Sequence, residues 1–322
     1  IPILQEISEF PKDLSNLEKV FIQFSKTQET IEEADIIFSL LNGKDNKDKV
    51  MINVGCHHGA AISGFLRNNW MVYAFEPDNT NREYLLNIFK DVNNLKIDTR
   101  AVSDEILNDV PYYTSSESTG ISTLKGFVET HEATQTVNTV TLKEFCKENS
   151  IERIDFLLID TEGFDFLVLK SINWIQPNIK PKVIIAEFED RKTKALNYSV
   201  MDMIEYLTER DYEILISEWY PIQKYGISHK WKAIYKYDGR RMPSKMSWGN
   251  LIAYEKSISD EQIQYAFINN CEHSVEPLKV NTSELPVIHF DGKSQISDQI
   301  STLENYSIII AIELKVNSSG KP

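Results

Sequence analysis

Short apolar runs alternate with amphipathic stretches of helical length through the central part of the chain. The runs are rich in Val, Ile and Phe, and each is closed by Gly, Pro or an acidic residue, which is typical of strands. They occupy residues 50–54, 70–75, 95–102, 156–159, 183–188, 212–216 and 251–254. Because these runs are apolar along their whole length, we predict an α/β fold in which helices cover both faces of a mostly parallel sheet.

Two segments interrupt this alternation. Residues 110–140 are rich in Ser and Thr and predict a β-hairpin or a loop, which is followed by a predicted helix at 142–148. Residues 218–248 carry a high density of Trp and Tyr, together with Arg240 and Arg241. We interpret this second segment as an aromatic insertion that is positioned to cover a binding pocket.

The two ends of the chain have patterns of their own. Residues 1–42 repeat apolar side chains at steps of three and four, which predicts helix. Beyond residue 255 a helix at 260–269 and two strands, at 287–290 and 307–315, are predicted. We therefore expect three parts, which are a helical lead-in at 1–49, an α/β domain at 50–255 and a small α+β appendage of unassigned role at 256–322.

Acidic residues outnumber basic ones in the chain, 48 to 34, and the formal net charge is −14. Proteins grip nucleic-acid backbones through clusters of Lys and Arg, so this balance argues against nucleic acid as the main partner. It leaves small molecules, neutral sugars and cationic ligands. The hydrophobic share of 42% is that of an ordinary globular protein and excludes a disordered chain.

Three cysteines lie far apart in the sequence, with no CxxC pair. This spacing fits neither a disulfide framework nor a thiolate zinc site, and we expect a reducing, cytoplasmic location. The longest apolar run near the C-terminus, at 308–312, is much shorter than the roughly 20 residues that a membrane-spanning helix needs. We therefore expect no membrane span.

The turn after the first predicted strand carries two glycines, Gly55 and Gly59. In open α/β sheets this turn normally supplies a cradle for the ligand, ahead of a helix N-terminus. The pattern is GxxxG and not GxGxxG, because Cys56 and His57 stand where the second glycine of a dinucleotide fingerprint is expected. The turn therefore disfavours NAD and FAD.

A carboxylate closes the second predicted strand. Glu76 lies 21 residues after Gly55, which is the spacing of an acid that accepts hydrogen bonds from a ribose diol. A ribose site without a pyrophosphate site suggests S-adenosylmethionine, whose positive sulfonium also suits an acidic pocket. The alternative is a plain glycine turn with a solvated Glu at a strand end.

Further carboxylates follow the next two predicted strands. Asp160 and Glu162 come directly after the strand at 156–159, and Glu187 closes the strand at 183–188. Parallel strands share one carboxyl edge, so we expect Asp160 near Gly55 and Glu76. Carboxylates in one place raise each other's pKa values and can produce a general base. Three alternatives stay open: Asp160 positions the amino group of the cofactor, the cluster holds a divalent cation, or Glu162 only caps a helix.

Several of these segments together resemble the FkbM family of S-adenosylmethionine-dependent methyltransferases. The resemblance runs from about residue 50 to 189 and less strongly to the last strand of the sheet. It is carried by AFEPD at 74–78, AVSD at 101–104, GISTL at 120–124, VTLKEF at 140–145 and IDFLLIDTEGFDFLVLK at 154–170. The resemblance implies a Rossmann-like fold with a seven-stranded sheet and O-methylation of a hydroxyl, often on a sugar or a polyketide.

The resemblance also implies which loops hold the cofactor. Gly55 and Gly59 are expected to cradle the methionine part, and Glu76 to hold the ribose. Contacts with the adenine are expected from Pro77, Ala101 and Val102. The glycines follow the first predicted strand, Glu76 and Pro77 follow the second, and Ala101 and Val102 lie at the end of the third.

Other residues of the first turn are less typical of the family. The family usually has Asp where this chain has Asn53, and the neutral amide weakens a charge-based contact with the methionine amine, although its carbonyl oxygen can still accept a hydrogen bond. His57 and His58 are expected to contact the cofactor through their backbone and not to bind a metal. Cys56 is interpreted as a small residue of the cofactor loop and not as a nucleophile.

Methyl transfer to oxygen needs a base for the acceptor's proton. The candidates are Asp160, Glu187 and His229, with Asp160 favoured for positioning the cofactor and Glu187 or His229 for the base. His229 is an isolated histidine in a loop, so a purely structural role is the alternative. The aromatic insertion suits a sugar acceptor by stacking, and Arg240 and Arg241 suit an anionic one.

Three competing functions stay open at this point. Half of the aromatic residues could simply pack the last strands of the sheet, and the acceptor could be a polyketide or another secondary metabolite. The chain could also be a non-catalytic methyltransferase-like module of a larger assembly. A nicotinamide-dependent oxidoreductase is disfavoured by the missing GxGxxG.

Overall fold

The fold described here is that of a computed structural model. The structure describes residues 30–225, 227, 229–239, 243, 246–263 and 265–267, all of which belong to one compact unit of the chain. Most of the predicted N-terminal helix, the two C-terminal strands at 287–290 and 307–315, and both Arg240 and Arg241 lie outside the described residues.

Twelve strands are found in the described residues. They are β1 (Val50–Val54), β2 (Met71–Phe75), β3 (Leu95–Asp98), β4 (Ala101–Val102), β5 (Val110–Ser115), β6 (His131–Val137), β7 (Thr139–Val140), β8 (Phe156–Ile159), β9 (Val183–Phe188), β10 (Tyr212–Trp219), β11 (Trp231–Lys236) and β12 (Trp248–Glu255). Eight of them form one sheet in the order β11-β10-β12-β9-β8-β1-β2-β3. The predicted runs therefore coincide with strands, apart from 95–102, which is divided into β3 and β4.

Besides a helical segment at 260–263 and 265–267, which lies within the helix predicted at 260–269, seven α-helices connect or flank these strands in the described part of the chain. They are α1 (Glu33–Leu41), α2 (Ser63–Arg67), α3 (Asn79–Ile88), α4 (Leu142–Glu148), α5 (Asp165–Lys170), α6 (Asp190–Thr193) and α7 (Val200–Thr208). Helix α3 begins with an Asp78 cap that accepts hydrogen bonds from the N–H groups of Thr80 and Asn81, which satisfies donors that would otherwise lack partners. No helix within the described ranges is long and apolar enough to cross a bilayer.

The sheet has a parallel half and a mixed half. Strands β3, β2, β1, β8 and β9 pair in parallel, whereas β12 is antiparallel to both β9 and β10. Chain order reverses between β1 and β8, and ligands bind at such a switch point in open α/β sheets. The predicted Rossmann-like, doubly covered fold is confirmed by this topology.

The sheet has one strand more than the seven expected. Strand β11 pairs antiparallel with β10 and comes from the aromatic segment 218–248. Lysines at 232 and 236 interrupt the apolar side chains of this strand. The strand is therefore not one of the continuous apolar runs from which the sheet was predicted. Trp231 and Tyr235 are buried, so much of the aromatic density is core.

Two apolar clusters cover the two faces of the sheet. Ile52 and Val54 of β1 belong to the cluster that contains Phe145 of α4 and Leu169 of α5. Met51 of β1 belongs to the other cluster, whose helical members include residues of α1 and α2 and Leu85 of α3. Successive residues of one strand thus pack into opposite layers, which explains the unbroken apolar pattern of the run 50–54.

The predicted hairpin at 110–140 is present. Strands β5 and β6 pair antiparallel, and the short β4 and β7 pair in parallel beside them. Helix α4 follows at once, with the Thr141 side chain accepting a hydrogen bond from the N–H of Glu144 at 3.1 Å. Residues of the hairpin line the same cavity as the ends of β1 and β2, which is described below.

A substitution at Gly249 of β12 tests how closely the backbones of β10 and β12 approach each other. A Cβ atom at this position would collide with the carbonyl oxygen of Ser217, so we expect Gly249→Ala to lower the free energy of unfolding by about 2 kcal/mol or more. Gly43→Ala is the control, because its Cβ would meet only ordinary contacts, and we expect a change within about 0.5 kcal/mol. Urea unfolding measures both, and equal effects would contradict the close pairing.

Candidate functional site

A cavity opens at the carboxyl ends of β1, β2 and β8, where the chain order reverses. The predicted site residues that line it are Gly55, His57, Glu76, Pro77, Ala101, Val102 and Asp160. The hairpin segment supplies Tyr112, Thr119 and Thr123, and the loop after β8 supplies Phe164. These four were missed by sequence reasoning, because nothing in a Ser/Thr-rich hairpin shows which residues turn toward the sheet.

Gly55 allows the turn after β1 to lie against the end of β8. Its φ is 87°, and a Cβ atom here would collide with the carbonyl oxygen of Asp160. Gly59, with φ 80°, packs instead on α3, since a Cβ would lie 2.5 Å from the Phe89 ring. Both glycines are required by the backbone, but only Gly55 lines the cavity.

The turn after β1 is tied to β2 by its backbone N–H groups. Those of Gly55 and Cys56 donate to the carbonyl of Phe75 at 3.1 and 2.9 Å, and that of His57 donates to Glu76 Oε2 at 2.6 Å. The Cys56 side chain is buried in the core and its burial raises the pKa of the thiol. The expected cofactor contact of Cys56 thus finds no support in the lining of the cavity, whereas its assignment as a non-nucleophile agrees with this burial.

Glu76 is buried at the end of β2, with 3% of its surface exposed. Its Oε1 accepts from the N–H of Asp78 at 2.9 Å, and its Oε2 accepts from His57. Burial raises the pKa of Glu76 to about 7, against the opposing effect of these two backbone hydrogen bonds. Each oxygen keeps a further lone pair, so the ionised side chain can still accept from a ligand hydroxyl in the cavity.

His57 and His58 stack on each other, with ring centroids 3.7 Å apart, and His58 lies 4.4 Å from the ring of Tyr84. His57 Nε2 is also 2.9 Å from Thr119 Oγ1 across the cavity. Burial, and then the neighbouring His58, lower the pKa of His57. In the part of the chain that is described, neither imidazole belongs to a group of three metal-ligating side chains.

Asn53 is buried within β1 and does not line the cavity. Its Oδ1 has no hydrogen-bond partner among the described residues. The neutral amide therefore stands behind the turn and not at its surface, and a direct contact of this side chain with a ligand stays a prediction.

Three carboxylates meet beside the cavity. Oxygens of Asp160, Glu162 and Glu187 all lie within 4.8 Å of one another, and the first two line the cavity. Asp160 is exposed where it lines the cavity. The protein atoms around its carboxylate nevertheless raise its pKa well above the usual range by desolvation, and the charge of Glu187 raises it further.

Lys192 on α6 is a further residue of this cluster that the sequence did not reveal. It is buried, and its Nζ lies 2.9 Å from both carboxylate oxygens of Glu187, 2.5 Å from Glu162 Oε2 and 3.2 Å from Glu189 Oε2. Burial opposes its charge, but the three carboxylates more than offset this and raise its pKa well above the usual range. In the sequence Lys192 stands among charged residues and looks like part of a solvated loop.

Two of the three base candidates are not placed as expected. Glu187 is buried with both oxygens bound to Lys192, and it does not line the cavity. His229 lies outside the lining with its ring edge-on to Trp248 at 5.1 Å, and burial lowers its pKa. Of the three candidates, Asp160 alone faces the cavity.

The strand order, the acid at the end of β2 and the cavity at the switch point define a Rossmann-like methyltransferase. The sequence matches the methyltransferase FkbM domain over residues 53–214, and the chain belongs to that family. It is an S-adenosylmethionine-dependent methyltransferase by this membership. No curated protein sequence matches the chain significantly.

Solved structures with a similar fold are methyltransferases of several kinds. A precorrin-6y C5,15-methyltransferase from Geobacter metallireducens shares 10% identity over 71% of this chain and 92% of its own, with a TM-score of 0.33. An rRNA methylase from Streptococcus thermophilus shares 10% over 69% and 93%, with 0.37. An O-methyltransferase from Bacillus cereus, in complex with SAH, shares 12% over 79% and 97%, with 0.35. The family assignment rests on residues 53–214 and the fold class on the strand order.

The cavity has the chemistry that S-adenosylmethionine requires. Its walls combine apolar side chains such as Val54 and Val102 with the carboxylates of Glu76 and Asp160, which suit an adenine and a ligand carrying hydroxyls and positive charge. Thr161 also lines it, and its buried Oγ1 has no hydrogen-bond partner in the described residues. When bound, this cofactor supplies an electrophilic methyl group on a sulfonium ion.

The raised pKa of Glu76 predicts a pH dependence of ligand affinity. Only the carboxylate can accept from two ligand hydroxyls in addition to its backbone donors, so the Kd for S-adenosylhomocysteine should rise several-fold as the pH falls from 8 to 6. Titration calorimetry measures this, and Glu76→Gln should bind more weakly with a flatter pH profile. Glu83→Gln, an exposed site on α3, is the control and should keep the wild-type profile.

The raised pKa of Glu76 should also make the stability of the fold depend on pH, in the direction opposite to that of the ligand affinity. A folded-state pKa of about 7, above the unfolded value of 4.5, means that the folded protein binds more protons between those values. The contribution of Glu76 to folding stability is complete below pH 4.5 and is lost as the pH rises through 7.

For ligand binding, an affinity for S-adenosylhomocysteine that is equal at pH 6 and 8 in the wild type would contradict an ionised Glu76 in the site.

Proposed function

We propose that the chain methylates a hydroxyl group of a carbohydrate or glycan acceptor. The observation that carries the proposal is that Glu76 and Asp160 face one cavity from the ends of β2 and β8. In this proposal Glu76 holds the ribose hydroxyls of the cofactor, and Asp160 takes the proton of the reacting hydroxyl. The remaining cofactor contacts that we propose are the cavity-lining Gly55, His57, Pro77, Ala101 and Val102.

Asp160 is our choice for the general base. It faces the cavity, whereas Glu187 is held by Lys192 and His229 packs against Trp248. A base is most effective when its pKa is close to the working pH, and desolvation moves the pKa of Asp160 upward. The backbone N–H of Asp160 donates to the carbonyl of Val54 at 2.9 Å, which fixes the start of this loop on the end of β1.

Aromatic side chains at the same edge of the sheet support a sugar acceptor. Trp219 ends β10 and pairs in register with Trp231 and Trp248, which begin β11 and β12. The first two are buried, but Trp248 is half-buried and the neighbouring Tyr220 is 47% exposed. Exposed ring faces next to polar groups are suited to stack on sugar rings.

A line of contacts leads from the cavity wall to Tyr225, which lies five residues after Tyr220. Glu162 in the cavity wall binds Lys192, whose Nζ lies 5.5 Å from the centre of the Phe127 ring. The Phe127 ring is in turn 6.1 Å from that of Tyr225. An acceptor lying on Tyr225 would therefore approach the carboxylates past Phe127.

Charge and cysteine chemistry support the rest of the proposal. The net charge of −14 disfavours nucleic acid as the acceptor. Cys56 and Cys146 are free and buried, which favours a reducing, cytoplasmic compartment.

Replacing the proposed base separates chemistry from binding. Asp160→Asn keeps the shape of the side chain and removes its basicity, so we expect kcat to fall by roughly 100-fold or more while the Kd for S-adenosylhomocysteine changes less than about threefold. Steady-state kinetics and calorimetry measure the two quantities. Asp91→Asn, at an exposed position, is the control. An unchanged kcat would remove Asp160 from the role of base, and absence of cofactor binding in the wild type would favour a non-catalytic module.

Acceptor class is tested with labelled S-adenosylmethionine. We expect label to enter free sugars, nucleotide-sugars or glycans, and turnover of only polyketides or peptides would contradict the proposal. Tyr220→Ala should raise KM for the sugar acceptor by roughly three- to tenfold, the value of one aromatic contact. Tyr265→Ala, an exposed tyrosine of the segment 265–267, should leave KM unchanged.

A further inference from the structure

The carboxylates beside the cavity are arranged around one positive charge. Oxygens of Asp160, Glu162 and Glu187 lie within 4.8 Å of one another, a spacing at which hard divalent cations are held by oxygen ligands. The Lys192 ammonium already lies at this place, with Glu187 bound through both oxygens at 2.9 Å and Glu162 at 2.5 Å. A divalent ion added to the same carboxylates would stand next to this ammonium and be repelled by it.

Lys192 is held in this position by its surroundings. Its side chain is 1% exposed, so its charge has no route to bulk water within the described fold. Gly163 packs on its stem, since a Cβ there would lie 3.3 Å from the Lys192 Cβ, and the Phe127 ring lies 5.5 Å from Nζ. A buried ammonium with three carboxylate partners is stable only as an ion.

We propose that the Lys192 ammonium is the resident cation of this cluster, in place of a divalent metal ion, and that it fixes Glu162 in the wall of the cavity. The second part rests on the proposed function, in which Asp160 receives the proton of the acceptor. A metal-bound hydroxyl would be acidified by the metal itself. Here the carboxylate has to take the proton unaided.

The loop geometry shows what Lys192 positions. Glu162 has φ 55°, a left-handed conformation that costs a non-glycine residue energy. It is held from one side by the ion pair with Lys192 and from the other by the Thr123 hydroxyl, which donates to the Glu162 carbonyl at 3.1 Å. Asp160 lies two residues earlier in the same loop, so Lys192 is a positioning residue for it.

A titration with Mn²⁺, in which binding is measured as the loss of the EPR signal of the free ion, tests the resident cation without any cofactor or acceptor. Wild type should bind no Mn²⁺ below about 1 mM, whereas Lys192→Met should bind one ion per chain with at least tenfold higher affinity. Lys192→Arg keeps the charge and should bind none. Lys182→Met is the matched control, because Lys182 pairs with the buried Asp155 elsewhere in the sheet, and it should bind none.

Adding Asp160→Asn to Lys192→Met should weaken Mn²⁺ binding again, which assigns the ion to this cluster. The proposal is overturned if wild type binds one Mn²⁺ that Glu187→Gln removes, or if folded Lys192→Met binds none. If Lys192→Met does not fold, the wild-type and Glu187→Gln titrations still decide the matter. For the positioning role, Lys192→Arg should retain the wild-type pH profile of kcat, and a shifted profile would contradict it. Failure of the methylation assays would leave the Mn²⁺ result unaffected.

Discussion

The buried ion pair between Lys192 and the carboxylates of β8 and β9 is the interaction on which the site depends. Parallel pairing brings Asp160, Glu162 and Glu187 to one edge of the sheet, where desolvation and mutual repulsion would drive them to protonate. The single ammonium offsets part of this charge from within the protein. Burial still raises the pKa values of Glu162 and Glu187, while the ion pair with Lys192 holds the strained Glu162 turn against the hairpin.

A second constraint acts at the other side of the cavity, where Glu76 is fixed by backbone donors from two loops. The N–H groups of His57 and Asp78 both point at it, so the turn after β1 and the start of α3 are joined through one carboxylate. The same burial that gives Glu76 its raised pKa makes it a strong acceptor once it is ionised. Stability and ligand binding thus favour opposite protonation states of one side chain.

The sequence was sufficient for whatever follows from periodicity and topology. Apolar runs located seven of the eight strands of the large sheet, and the rule that parallel strands share a carboxyl edge predicted that Gly55, Glu76 and Asp160 lie together. Roles that depend on packing were not accessible. A lysine among charged neighbours gives no sign of burial. The aromatic pattern of 218–248 does not show which residues pack the sheet, as Trp231 and Tyr235 do, and Glu187 gives no sign that its oxygens are bound to Lys192.

The proposed methylation of a sugar hydroxyl depends on the way in which charge is balanced. Such a hydroxyl is a very weak acid, so transfer of a methyl cation to it requires the proton to leave as the new bond forms. A metal ion would promote this by acidifying the hydroxyl in the ground state, whereas the Lys192 ammonium, bound to Glu187 and Glu162, is proposed to hold the loop of Asp160 in position. In this proposal Asp160 takes the proton, and its pKa is raised by desolvation and by Glu187. Lys192 limits that rise through its own charge, and the balance between the two determines how basic the cavity can be at neutral pH.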